Sequence, residues 1–179
     1  MKKLLFIGLL AFCFSCAENT PEVKVTNPEH YDKYLSTEQG NTYKNAMAER
    51  DFWSNKLSAD TTGVGSLGAL AGAYTTLFDA TGNVENLYAA ETLYKKGMAN
   101  SAHNKDGFAR GLARNYISQH RFQEAKTILE ESYAGVSNKK ATELMLFDVY
   151  MELGMYDKAS EMLEKSKNLS DYNYLIRLA

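Results

Sequence analysis

Proline is nearly missing from this 179-residue sequence: it occurs only at Pro21 and Pro28. Everything after Pro28 therefore lacks the strongest helix breaker. Cysteine is confined to Cys13 and Cys16, which excludes a disulfide framework and a cysteine-based zinc site from the later chain. Positive charge is not in excess. Twenty Lys and Arg stand against 22 Asp and Glu, a net −2, and loss of Lys2 and Lys3 with a leader makes the balance more acidic still. A mildly acidic chain has no bulk attraction for a phosphate backbone, so no nucleic-acid partner is expected. Charge alone would not hold it on anionic lipid either.

Catalytic motifs are also scarce. His30, His103 and His120 are scattered, with no second ligand three or four residues away, and no HExxH, GxSxG or phosphate-loop lysine motif occurs. Glu130-Glu131 reads as a solvated helix face. The run Gly63-Val-Gly-Ser-Leu-Gly68 is a literal GxGxxG, but a dinucleotide fingerprint needs a strand before it. Here polar Ser58–Thr62 precedes it, so the small residues are read as letting a helix over 64–81 pack closely. No enzyme, cofactor or metal site is expected.

What is present begins with a leader. Met1-Lys2-Lys3 is a basic start, and Leu4 to Phe14 is an unbroken apolar run of eleven residues. That is the length of a signal-peptide core and too short to cross a bilayer, which takes about 20 residues. Residues 1–15 are assigned as a lipoprotein-type signal peptide. Ser15-Cys16 resembles the end of a bacterial lipobox, which implies acylation of Cys16, although Cys13 and Phe14 depart from the usual Leu and small residue. A rival cut after Ala17 would leave a soluble protein. Acylation by two or more chains gives stable anchoring. Residues 16–28 then form the lipidated cysteine and a flexible tether, ending at Asn27-Pro28, which suits an N-cap with proline in the first turn.

The helical domain is placed at 29–179, and its main feature is a repeat. Leu112 pairs with Leu146, Tyr116 with Tyr150, Phe122 with Tyr156, Ala125 with Ala159, Leu129 with Leu163 and Ser132 with Ser166, each offset by 34 residues. Apolar or small residues at Phe122, Ala125, Ile128, Leu129 and Ser132 make one helical stripe. Glu161 and Lys165 stand four apart, acid first, as a surface pair. A helix pair this small cannot bury its own face and must stack on neighbours.

This spacing and these residue types resemble the tetratricopeptide repeat family, whose period is 34. Gly154 occupies the turn as the family prefers, where the earlier copy has His120. Phe147 stands where a small residue is usual, Ala109 and Glu143 replace a large aromatic, and Ser137 and Asp171 replace a proline. The resemblance implies an all-α fold, an α-solenoid of helix-turn-helix repeats in a right-handed superhelical stack. Repeats fall at about 64–104, 106–139 and 140–173, with a further helix starting at 171–179. In the first of these, about seven extra residues are expected to lengthen the connection through Phe78–Asn83. Asn41–Ala59, with Tyr43, Met47, Phe52, Trp53 and Leu57, reads as a solitary amphipathic helix that caps the array. The last segment ends on apolar residues without a polar cap, so either the array continues or this end pairs with something else.

By the same resemblance, recognition belongs to the inner face of each first helix: Arg110, Arg114 and Ile117 in one repeat, Leu144, Asp148 and Met151 in the next. Arg110 and Arg114, four apart, either grip a carboxylate together or are two solvated arginines. The Lys/Asn set of the chaperone-tail carboxylate clamp is missing. The sequence as a whole looks like a tetratricopeptide lipoprotein of a Gram-negative envelope, anchored through Cys16 at the outer membrane on its periplasmic or surface face. The implied function is a non-catalytic scaffold presenting a groove to a protein or peptide. Two alternatives are an assembly lipoprotein for outer-membrane proteins and a glycan-binding lipoprotein paired with an outer-membrane transporter.

Overall fold

The computed structural model describes residues 26–35, 40–59, 63–103, 105–135 and 138–179. The chain forms two units, Met1–Glu38 and Gln39–Ala179. In the first, Asn27 Oδ1 accepts the Glu29 N–H at 3.1 Å and opens a 3₁₀ turn, Pro28–His30, followed by one helical turn, Asp32–Leu35. The expected cap is there, on a 3₁₀ turn. The signal peptide, Cys16 and the tether as far as residue 25 lie outside the described residues.

In the second unit the described residues form eight helices and no strand: α1 (Asn41–Ala59), α2 (Val64–Thr81), α3 (Glu85–Asn100), α4 (Lys105–Ser118), α5 (Phe122–Tyr133), α6 (Lys139–Glu152), α7 (Tyr156–Lys165) and α8 (Tyr172–Leu178). Each packs on the next in chain order, and the first helices of successive pairs, α2, α4 and α6, also touch. This is the expected tetratricopeptide-like all-α solenoid. No described helix is long and apolar enough to cross a membrane.

The repeat is visible bond by bond. The α4–α5 and α6–α7 pairs start at positions 34 apart, Lys105 and Lys139, then Phe122 and Tyr156. In their turns the Arg121 N–H donates to the Tyr116 carbonyl at 2.8 Å, and the Met155 N–H donates to the Tyr150 carbonyl at 2.8 Å. Both turns need one left-handed residue, His120 at φ 55 and Gly154 at φ 69. Leu112, Tyr116, Ala125 and Leu129 share one buried cluster with Leu146, Tyr150, Ala159 and Met162. Ala125 and Ala159 are fully buried, so the helix axes approach where only a methyl group fits. The equivalence breaks at two places. Tyr156 is exposed where Phe122 is half-buried, and Met162 takes the deep position in α7 in place of Leu163.

One expectation about the first repeat is corrected. The extra residues around Phe78–Asn83 mostly lengthen helices and do not build a long loop. α2 has 18 residues and α3 has 16, and only Gly82, Asn83 and Val84 join them. The Thr75, Thr76 and Thr81 hydroxyls donate to carbonyls four residues back, which satisfies these side chains inside the helix. Gly82, at φ 67, then ends the helix, its N–H donating to the Phe78 carbonyl.

α1 spans the predicted residues and packs on α2, with Ala46 buried and Tyr43, Met47, Trp53 and Leu57 half-buried on that side. Phe52 is exposed and meets Trp53 edge-on, with centroids 5.0 Å apart. The GxGxxG run opens α2. A Cβ on Gly68 would stand 3.3 Å from the Phe108 ring, so the close-packing reading holds there.

Candidate functional site

The first helices α4, α6 and α8 line a cleft of about 370 Å³. α4 places Arg110 and Arg114 one turn apart on the same wall. α6 supplies Ala141, Leu144 and Met145, and α8 supplies Asn173 and Arg177. The Tyr94 ring of α3 closes the remaining side. It lies so close over Gly111 that a Cβ there would come within 2.4 Å of it. Arg110, Arg114 and Arg177 therefore line one opening, and of the three the Arg177 guanidinium is already paired with the Asp148 carboxylate. An anion bound there would meet planar, charged donors beside an apolar floor at Leu144.

Asp148, expected in the groove, is committed elsewhere. It accepts from Arg177 Nε at 2.7 Å and from Arg177 Nη2 at 2.5 Å, a two-pronged pair. Lys140 meets Asp171 at 2.7 Å, and Tyr174 is buried. Together these fasten α8 against α6. The Lys140 ammonium and the Asn173 N–H, which Asp171 caps at 2.8 Å, hold the Asp171 carboxyl below the usual carboxylate range. Of the six residues read from the sequence, the cleft gathers Arg110, Arg114 and Leu144. Ile117 packs against the buried cluster, and Met151 is exposed and lines no part of the cleft.

The residues not anticipated are Tyr94, Gly111, Ala141, Met145, Asn173 and Arg177. Gly111 and Met145 occupy one repeat position 34 apart, next to Arg110 and Leu144, so widening the inner face by one residue would have found them. Arg177 had no such signal. In the repeat register it corresponds to Glu143, which is buried.

Polar side chains also tie successive helix pairs together. Glu91 on α3 accepts from Lys95 at 2.6 Å, from Gln119 at 3.2 Å and from Arg121 at 2.9 Å. The Arg121 guanidinium lies 4.2 Å from the centre of the Tyr116 ring. Burial opposes ionisation of Glu91, but its donors outweigh that and hold its carboxyl below the ordinary value. Glu130 and Glu131 are exposed, as expected of a solvated face, and Glu130 also has a partner. It accepts the Tyr150 hydroxyl from the next repeat at 2.8 Å, and burial plus this bond push the Tyr150 phenol upward. Glu143, where an aromatic is usual, accepts the Tyr133 hydroxyl at 2.9 Å. These groups are structural ties, and none of them lines the cleft. Among the described residues no three His, Cys, Asp or Glu side chains form a metal-holding group.

Residues 116–168 match the model of the tetratricopeptide repeat family. The matched stretch begins at Tyr116, near the end of α4, and takes in α5, α6 and α7. No curated protein matches the chain. Tetratricopeptide repeats are protein-interaction scaffolds, and an all-helical fold of this kind is typically a non-catalytic binding surface.

Proposed function

We propose that this chain is an exported, lipid-anchored scaffold of the bacterial envelope that carries out no catalysis. Its tetratricopeptide groove holds an acidic peptide segment of a protein partner. The observation carrying this reading is the cleft whose lining brings Arg110 and Arg114 together with Leu144. Two planar cations on one rigid helix lose little ordering entropy when they close on a carboxylate. The basic start, the eleven-residue apolar run and Ser15-Cys16 support export and acylation.

Two measurements test it. A peptide acetylated and amidated at its ends, with one aspartate, should bind the protein at low salt. Replacing Arg110 and Arg114 by alanine should weaken it about tenfold or more. Unchanged affinity in that double variant removes the groove assignment. In the producing cell, the native protein should stay with membranes after a salt wash and Cys16→Ala should not. If the variant stays as well, the anchor is wrong.

A further inference from the structure

Beside the arginine cleft lies a second hollow of about 440 Å³, between the start of α2 and the start of α4. The two share Tyr94 and Gly111, so they are neighbouring parts of one surface with the tyrosine ring between them. Their chemistry differs. The second is walled by Val64, the Phe108 ring, Tyr94 and glycine backbone, and no Lys, Arg, Asp or Glu appears in its described lining. Its polar rim is Ser101 and His103, and the Ser101 hydroxyl donates to the His103 carbonyl. The buried Phe108 forms its floor by lying in the space left by missing side chains at Gly68 and Gly97. A floor ring held this way is fixed before any ligand arrives, and its face favours apolar or aromatic contact.

We infer that this hollow is a side-chain pocket that takes a large apolar residue of the same peptide whose acid sits in the arginine cleft. The partner segment then carries an aspartate or glutamate beside a bulky apolar side chain. The inference rests on the acidic-peptide reading and narrows it. In an extended peptide, residues two apart point the same way, about 6.5 Å from each other, so one peptide presents both side chains to a single surface such as these adjoining hollows. A pocket that strips water from an apolar side chain adds affinity, and a hollow open on one side gives roughly tenfold.

The test uses the full chain and short peptides, acetylated and amidated so that only their side chains carry charge. The pair Gly-Phe-Ser-Asp-Gly and Gly-Asp-Ser-Phe-Gly covers both directions, and partners with alanine for phenylalanine or asparagine for aspartate separate the two contributions. Gly65 provides the probing variant, because a Cβ added there meets no atom within 4 Å. Gly65→Leu is expected to fill the hollow, since Gly65 lines it and lies in the first turn of α2 with open space at its Cβ. One phenylalanine peptide should bind about tenfold tighter than its alanine partner. Gly65→Leu should erase that difference while leaving the alanine peptide's affinity as it was. Equal binding of phenylalanine and alanine peptides in both directions overturns the pocket, as does a difference that survives Gly65→Leu. In either case, a loss of aspartate-peptide binding in Arg114→Ala leaves the acidic groove standing. If aspartate and asparagine peptides bind alike, the groove reading and the pocket fall together.

Discussion

The turn inside each clear repeat hangs on one residue with positive φ. Gly154 meets this requirement without strain, and His120 meets it at φ 55 with a Cβ crowding the backbone. The family resemblance marked His120 as a departure from glycine, and the left-handed backbone gives that departure its physical content. His120→Gly should raise stability by about 0.5–1 kcal/mol, seen as a higher urea midpoint with an unchanged slope. The edge-on contact of His120 with Phe122, with centroids 5.6 Å apart, limits the gain. A lower midpoint would mean that this ring contact outweighs the strain. Not every single residue was legible in this way. Glu143 reads as an anomaly in sequence, and only its bond to Tyr133 explains why a carboxylate is tolerated where 8% of its surface is exposed.

At the scale of helices, packing is decided by which side chains are absent. Phe108 of α4 inserts against α2 and α3 because Gly68 and Gly97 leave room. A Cβ on Gly97 would stand 2.2 Å from the ring. Alanine ordinarily favours a helix over glycine by about 1 kcal/mol, but here the clash should win. Gly97→Ala is expected to destabilise by about 1–3 kcal/mol in thermal or urea unfolding. Adding Phe108→Leu should recover part of that loss, since the shorter side chain vacates the contested space. Additive losses in the double variant would show that the two positions do not share it. Helix positions were largely legible from the sequence, with α1 matching its predicted span, because a stripe at three- and four-residue steps is a local property. The length of the α2–α3 connection was not. The family period suggested inserted loop, whereas the helix continues to Thr81 and stops only at the left-handed Gly82.

Among the described residues of the second unit, helices pack chiefly on their neighbours in chain order, so stability depends on each interface in turn. Glu91 sits at one of them, its side chain 12% exposed, and gathers donors from α3 and from the turn between α4 and α5. Glu91→Gln should cost about 1–2 kcal/mol at pH 7. The pH dependence has a definite sign. The Glu91 carboxyl is held below its ordinary 4.5 in the folded protein, so its stabilisation is complete above that value and fades as pH falls through the lowered one. The gap in melting temperature between wild type and variant should be wide at pH 7 and shrink below about pH 4. A gap that stays constant down to acid pH would show that the charge of Glu91 contributes nothing.

Periodicity and composition by themselves determined the helical class and the 34-residue register, because both are fixed by spacing along one chain; the resemblance to the tetratricopeptide family then pointed to Arg110 and Arg114. The tertiary structure alone decided that Arg177 turns into the same cleft and takes Asp148 out of it. It also decided that Tyr94 divides the cleft from the Phe108 hollow. Both depend on how far neighbouring helices are set from each other, a distance fixed by the mutual fit of glycines and rings that lie far apart in sequence and follow no period.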